Sequence, residues 1–349
     1  MRVGLGIVWV VLALAGSGAA WAQPGTDDQP LTPKLQQPEA EPPSETYGGP
    51  FWQRGHLLGD PGGIRSRLAA RGITFGLLEQ AEVLGNVTGG TRRGAAFDGL
   101  LTMSAGLDTG TAGLWPGGTF NASAFQVHGR SLSLDNLNNT GMTVSSIEAL
   151  RGTLLFELWF EQVLLNKRLS VRVGQMAADQ EFMVTQYGGL FINHTFGWAT
   201  LPSADLPSGG PSYPLATPGV RVRFAPNEDT SLLLGVFNGD PSGPGRGISQ
   251  ERNPSGTAFR LRDGVFVIGE MQFQLNGGED ASGLAGTYKL GGWYNSQPFA
   301  DQRRDALGQS LGSLGGETDA QGRSRGTQHL SAGFLFVGDA VTHRAAPIE

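Results

Sequence analysis

The sequence predicts an all-β protein: an antiparallel transmembrane β-barrel, preceded by a short helix and an export segment. Three observations carry the prediction. The N-terminus reads as a targeting segment. Apolar and polar residues then alternate with period two over runs long enough to cross a bilayer. Tight turns alternate with long Gly/Pro-rich loops.

The first segment sets the compartment. Arg2 gives a positive start, Val3 to Ala15 is a short apolar run, and Ala20-Trp21-Ala22 has the small-x-small form of a cleavage site. The run is shorter than the ~20 residues a spanning helix needs. Residues 1–22 are therefore expected to be a signal peptide, and the mature chain to begin at Gln23. Residues 23–50 carry Pro24, Pro30, Pro33, Pro38, Pro42, Pro43 and Pro50 among acidic and Gln residues. Such composition cannot bury a core and is expected to form a linker. Residues 51–72 hold one short amphipathic helix. Asp60 fits its cap, Pro61 its first turn and Gly72 the position past its end, with Ile64 and Leu68 on one face.

From residue 73 to residue 349 the reading is a barrel domain, because the period changes to two. Phe97, Leu101, Met103, Ala105 and Leu107 oppose Asp98, Thr102, Ser104 and Asp108. Phe156, Leu158 and Phe160 oppose Glu157, Trp159 and Glu161, and Leu169, Val171 and Val173 oppose Ser170, Arg172 and Gly174. Val220, Val222 and Phe224 oppose Arg221 and Arg223. Val265, Val267, Met271, Phe273 and Leu275 oppose Glu270, Gln272 and Gln274. Weaker candidates at 73–84, 118–129, 230–238, 285–295 and 328–337 bring the count to about ten strands, several near the ~9–11 residues of a transmembrane strand.

Alternation also fits a soluble β-sandwich, since exchanging inside and outside leaves the pattern unchanged. Three features favour the barrel. The runs exceed the ~5–6 residues of ordinary strands. The tight turn Pro226-Asn227-Glu228-Asp229 contrasts with the long loop Gly239 to Pro254. Charges also sit in mid-strand, where an Arg facing lipid would cost ~2–4 kcal/mol, so Arg172, Arg221 and Arg223 should face a wet lumen.

Composition narrows the chemistry. The chain has no cysteine, which excludes disulfides and thiolate metal sites. A net charge of -6 argues against a polyanionic partner. Gly, at 55 of 349 residues, is about twice its usual ~7% share, as many turns require. His56, His128, His194, His329 and His343 show no ligand spacing, so no metal or other cofactor is expected. Gly308-Gln309-Ser310-Leu311-Gly312 spells a nucleophile elbow but lies in a Gly-rich loop, without the strand–helix context that motif needs. Glu157 and Glu161 would sit ~13 Å apart along a strand, too far for a glycosidase pair. Asp179 and Glu181 meet that spacing, but carboxylates two apart are common in loops. No catalytic residue is expected.

Ordered motifs then resemble the carbohydrate-selective porins of the OprB family. They are Leu58-Gly59-Asp60-Pro61-Gly62-Gly63-Ile64-Arg65, where the family usually has Trp at the position of Pro61, and Leu68 through Phe75. Glu82-Val83-Leu84-Gly85-Asn86, Leu155 through Gln162 and Val171-Arg172-Val173-Gly174-Gln175 follow. Tyr213 through Gly219, Val236 through Pro241 and Gly286 through Tyr294 complete the series, which runs from about Leu57 to about Asp305. The resemblance implies a 16-stranded barrel in the Gram-negative outer membrane, in contact with lipid, and passive uptake of small sugars. Ten strands fall six short of sixteen, and residues after about Arg323 match poorly, so the sequence reads as a porin truncated or frame-shifted at its C-terminus. A non-conducting carbohydrate-binding envelope protein is the alternative.

A sugar pore needs aromatic faces for pyranose rings and charged groups for hydroxyls. The polar strand faces offer Glu157, Trp159, Glu161, Arg172, Arg221, Arg223, Glu270 and Lys289 as pore-lining candidates. The stretch from Phe182 to Pro218 alternates little and carries several aromatics, and reads equally as a loop folded into the lumen or as an external loop. Asp179, Glu181 and Phe182 would begin it.

Overall fold

The structure, a computed structural model, describes residues 56–138, 142–185, 187–245, 247–276, 286–301, 303–305, 307–310, 327–328 and 331–340. The expected signal peptide and linker, Leu311 and Gly312 of the elbow-like motif, His329 and His343 lie outside them.

The chain enters through a short turn at Pro61–Gly63 and the helix α1 (Ile64–Ala69). The N-cap position of α1 is Gly63, but the Asp60 carboxylate reaches its first turn, accepting from the backbone N–H of Arg65 at 2.7 Å and of Ser66 at 3.2 Å. Gly72, at φ +76°, ends the segment where an added Cβ would strike the Asp108 carbonyl, so only glycine fits.

Nine strands follow: β1 (Ile73–Asn86), β2 (Gly94–Asp108), β3 (Gly118–Gly129), β4 (Gly152–Leu164), β5 (Leu169–Met176), β6 (Thr217–Phe224), β7 (Thr230–Asn238), β8 (Val265–Leu275) and β9 (Gly286–Asn295). The pair β10 (Phe299–Ala300) and β11 (Thr327–Gln328) forms a small separate ribbon, and β12 (Ser331–Ala340) returns to pair with β9. The main sheet is a ten-stranded antiparallel meander in the order β1 to β9 and then β12. Among the described residues β1 and β12 are its two edges. Connections 165–168 and 225–229 are tight, and 130–151, 177–216 and 239–264 are long; the sequence singles out the turn at 226–229 and the long stretches at 182–218 and 239–254. In the tight turn after β6 the Asn227 side chain accepts from the N–H groups of Asp229 and Thr230, which is why Asn suits that position.

The burial of the two faces decides between barrel and sandwich. The apolar face points outward: Val173, Val220, Leu234, Phe273 and Leu290 are 40–55% exposed, at 49%, 41%, 49%, 42% and 53%. The face bearing Arg172, Arg221, Glu270 and Lys289 is buried. A soluble sandwich places its apolar face inside, so this arrangement belongs to a wall whose outer face meets lipid. Open backbone finds no partner in hydrocarbon, and β2 to β9 each pair with a neighbour on both sides, while β1 and β12 pair on one side among the described residues.

One expectation is corrected. Phe156 does not share the outer face with Leu158 and Phe160. The β3–β4 register jumps from Ser123 opposite Glu157 to Ala124 opposite Leu155, leaving Phe156 as the extra residue of a β-bulge. The bulge turns Phe156 inward beside Glu157, where its ring meets Phe125 at 4.3 Å. Period two holds on either side of the bulge and breaks across it.

The core lies on the concave side. Phe182, Met183, Trp198 and Leu206, all from the segment 177–216, pack against Leu233, Phe237, Phe266, Ile268 and Trp293 of the wall. The Phe182 to Pro218 stretch therefore folds into the lumen. A second cluster joins Leu100, Phe125, Val127, Leu154 and Phe156 to Ile147 of the 130–151 loop.

Leu234 lies at the middle of β7. Leu234→Arg is expected to cost about 2–4 kcal/mol of folding free energy in lipid vesicles, measured by denaturant titration, whereas Leu234→Phe should be near neutral.

Candidate functional site

The site is built on one rung of the wall. Glu161 of β4 stands opposite Arg172 of β5, and Arg172 stands opposite Arg221 of β6. Two guanidiniums directly across from each other repel. Glu161 answers part of this, accepting from Arg172 Nη2 at 2.7 Å and from Arg221 Nη2 at 3.0 Å. The remainder comes from the inward loop. Glu181 reaches Arg172 Nη1 at 2.6 Å, and Arg221 Nη2 donates to it at 2.8 Å. The four side chains balance to zero net charge. Arg172 also lies over the Trp159 ring at 3.8 Å, and Trp159 donates its indole N–H to Glu157 at 3.1 Å.

The other predicted residues hold the same loop. The Ala177 N–H donates to Glu157 at 3.1 Å, and the Met183 N–H donates to Glu270 at 2.8 Å. Lys289 donates to the Val184 carbonyl at 2.7 Å. Glu157, Trp159, Arg172, Arg221, Glu270 and Lys289 are thereby buried, and Glu161 nearly so. They share the inner face, and the loop stands between them and the open lumen. Arg223 is half-buried, with its side chain donating to Ser231 at 3.3 Å.

Asp179, in the loop outside the spanning strands, accepts from the Tyr213 N–H at 2.8 Å. Burial pushes its carboxyl up to about 6. Tyr213 donates its hydroxyl to the Ile147 carbonyl at 2.7 Å and so ties the 177–216 loop to the 130–151 loop. Asp179 and Glu181 are thus occupied as anchors rather than free as a carboxylate pair. Among the described residues no group of three His, Asp or Glu side chains is placed to hold a metal ion.

Past Val184 the loop leaves the β8–β9 wall. It touches the structure again where the Ser146 N–H donates to the Ile192 carbonyl at 2.7 Å and the Asn193 amide donates to the Thr143 carbonyl at 3.0 Å. Ile192 packs on Leu84 of β1, Ala96 of β2 and Leu132. The segment is therefore a strap joining β8–β9 to β1–β2 across the concave face. Sequence reasoning missed the exposed aromatics on it, Tyr187, Phe191 and Phe196. The only signal was the number of aromatics in a stretch without alternation.

The rung predicts a specific failure. Glu181→Gln leaves two buried guanidiniums facing one carboxylate, and losing one partner of a buried pair costs about 3–5 kcal/mol. Amide exchange across 177–184 should accelerate by two or more orders of magnitude, while exchange within β7 stays as in the parent chain. Unchanged exchange in the loop would show that the ion pairs do not seat it.

The model of the family described as "Carbohydrate-selective porin, OprB family" matches residues 92–342, beyond Asp305, where the sequence motifs stop. Porin B of Pseudomonas aeruginosa is 24% identical over 286 residues, covering 78% of this chain and 59% of the relative. The high-pH structure of Pseudomonas putida OprB superposes with a TM-score of 0.63 at 21% identity, over 81% of this chain and 64% of that one. The low-pH structure gives a TM-score of 0.41 at 15% identity, over 71% and 66%. The chain thus spans about three-fifths of the length of these relatives. With the family match covering most of its residues, this chain belongs to the OprB family of carbohydrate-selective porins.

Proposed function

We propose that this protein is an outer-membrane channel for passive, carbohydrate-selective diffusion of small sugars. The observation that carries the reading is the pairing of an apolar outer face with a polar inner face that an inward strap partly fills. The outer face suits lipid. The inner face, with the strap across it, suits a wet passage narrowed enough to discriminate between solutes. That the curated relative is named Porin B supports the same reading.

In this account residues 1–22 direct export and are removed before Gln23, residues 23–50 are a linker, 51–72 carry the helix, and 73–349 make the barrel domain. Glu157, Glu161, Arg172, Arg221, Glu270 and Lys289 act on sugar indirectly, by fixing the strap. Arg223 meets solute from the wall itself. The sugar passes unchanged, so the chain needs neither a catalytic group nor a cofactor.

Planar-bilayer recording tests the proposal. The purified protein should produce stepwise current increments that added glucose reduces in a saturable manner. A folded preparation that gives no increments, or increments that no sugar alters, would contradict it.

A further inference from the structure

The strap carries a feature that the seating of the loop does not explain. Phe191 and Phe196 stack face to face, with ring centroids 4.5 Å apart and planes at 24°. Apolar rings normally seek cover, yet Phe191 is 57% exposed and Phe196 46%. Of the other large apolar residues of the loop, Phe182, Trp198 and Leu206 are buried against the wall, while Leu190 at 79% and Leu201 at 56% are exposed like the pair. Among these exposed residues Phe191 and Phe196 alone form a stacked aromatic pair.

Its position is fixed from both sides. Val184 is held by Lys289 on β9, and Ile192 by Ser146 beside β1–β2. Between these two anchors the chain makes a tight turn at Gly188–Leu190, where the Gly188 N–H donates to the Thr185 hydroxyl at 2.7 Å. Phe196 is held on the far side. The Asn193 side chain accepts from the Thr195 N–H at 3.0 Å, and the Trp198 N–H of the next turn donates to the His194 carbonyl at 3.0 Å. Trp198 is fully buried, with its indole N–H donating to Gly209 at 3.0 Å. A platform held this way loses little freedom when something settles on it.

Two exposed hydroxyl residues, Thr195 and Thr200, flank Phe196 in the chain. Thr195 and Thr200 present their hydroxyls to each other at 3.3 Å on the exposed side, and partly exposed Tyr187 lies on the same strap. A flat apolar face edged by neutral donors and acceptors matches a ligand with an apolar C–H face and a ring of hydroxyls. That is an aldopyranose.

We infer that Phe191 and Phe196 form a stacking platform for the pyranose ring of a permeating sugar, with Thr195 and Thr200 at its hydroxyl-bonding edge. The inference rests on the pore reading and names the contact that would give such a pore its preference for ring sugars. Stacking needs a ring. Glucose should use the platform, and sorbitol, an open-chain polyol of the same carbon count, should not.

The test is current block of the full chain in planar bilayers by glucose and by sorbitol. In the parent protein glucose should half-block at a lower concentration than sorbitol. Phe191→Leu combined with Phe196→Leu keeps apolar bulk and removes the aromatic faces. It should raise the half-blocking glucose concentration about two- to tenfold per ring, so that the sorbitol-to-glucose ratio falls towards one. Phe191→Trp, which restores a larger face, should keep the ratio at or above the parent value, and it preserves the test should the leucines disturb the strap. A ratio unchanged by the leucines, or one lowered equally by tryptophan, overturns the platform. Current that glucose never blocks in the parent protein overturns the pore reading, and the platform with it.

Discussion

Two arginines held directly opposite each other on neighbouring strands are the constraint from which the rest of this molecule follows. Arg172 and Arg221 share a rung with Glu161, so the wall alone leaves that rung one positive charge in excess. The surroundings are nearly dry, and an unmatched buried charge there is costly. Glu181 supplies the missing negative charge, but it belongs to the 177–216 loop, not to the wall. The wall therefore completes its electrostatics only by drawing the loop inward. Once Glu181 is seated, Met183 and Val184 fall within reach of Glu270 and Lys289, and Phe182 meets Phe237 edge to face at 6.4 Å. Gly235, the next residue on the rung, has no side chain because the Phe182 and Phe237 rings occupy that space.

On the pore reading proposed above, this division of labour lets one sheet support both stability and selectivity. The outer face and the strand ladders hold the protein in the bilayer and say nothing about the solute. On that reading the strap sets what a solute would meet, and it is positioned by wall residues that it covers. Rigid scaffold and functional loop are separate in sequence and joined by a few charge-assisted bonds.

The sequence made the local part of this legible and hid the distant part. Period-two alternation gave the strands and their faces at β2, β5, β6 and β8, because a side chain's direction in a strand depends only on its parity. Parity fails where an extra residue enters, which is why Phe156 appears outward in the sequence and lies inward in the fold. The charged candidates were readable as a group facing one way. Their partners were not. Glu181 lies nine residues beyond Arg172 and forty before Arg221, in a stretch without periodicity. The groups that Glu270 and Lys289 bind are the Met183 N–H and the Val184 carbonyl, which no side-chain pattern can report. Phe191 and Phe196 stood out only as aromatics in a loop, since their stacking depends on the turn that Asn193 caps.

The central claim is that apolar strand positions face lipid and polar ones face water. Because the chain has no cysteine, one introduced thiol reports a single place. Neighbouring residues of β8 give the sharpest contrast: Phe273→Cys on the outer face and Gln274→Cys on the inner face, each labelled with a fluorophore in lipid vesicles. Brominated acyl chains should quench the label at 273 and spare that at 274, and aqueous iodide should do the reverse. Equal quenching of both sites by iodide, or lipid quenching at 274 rather than 273, would contradict the account.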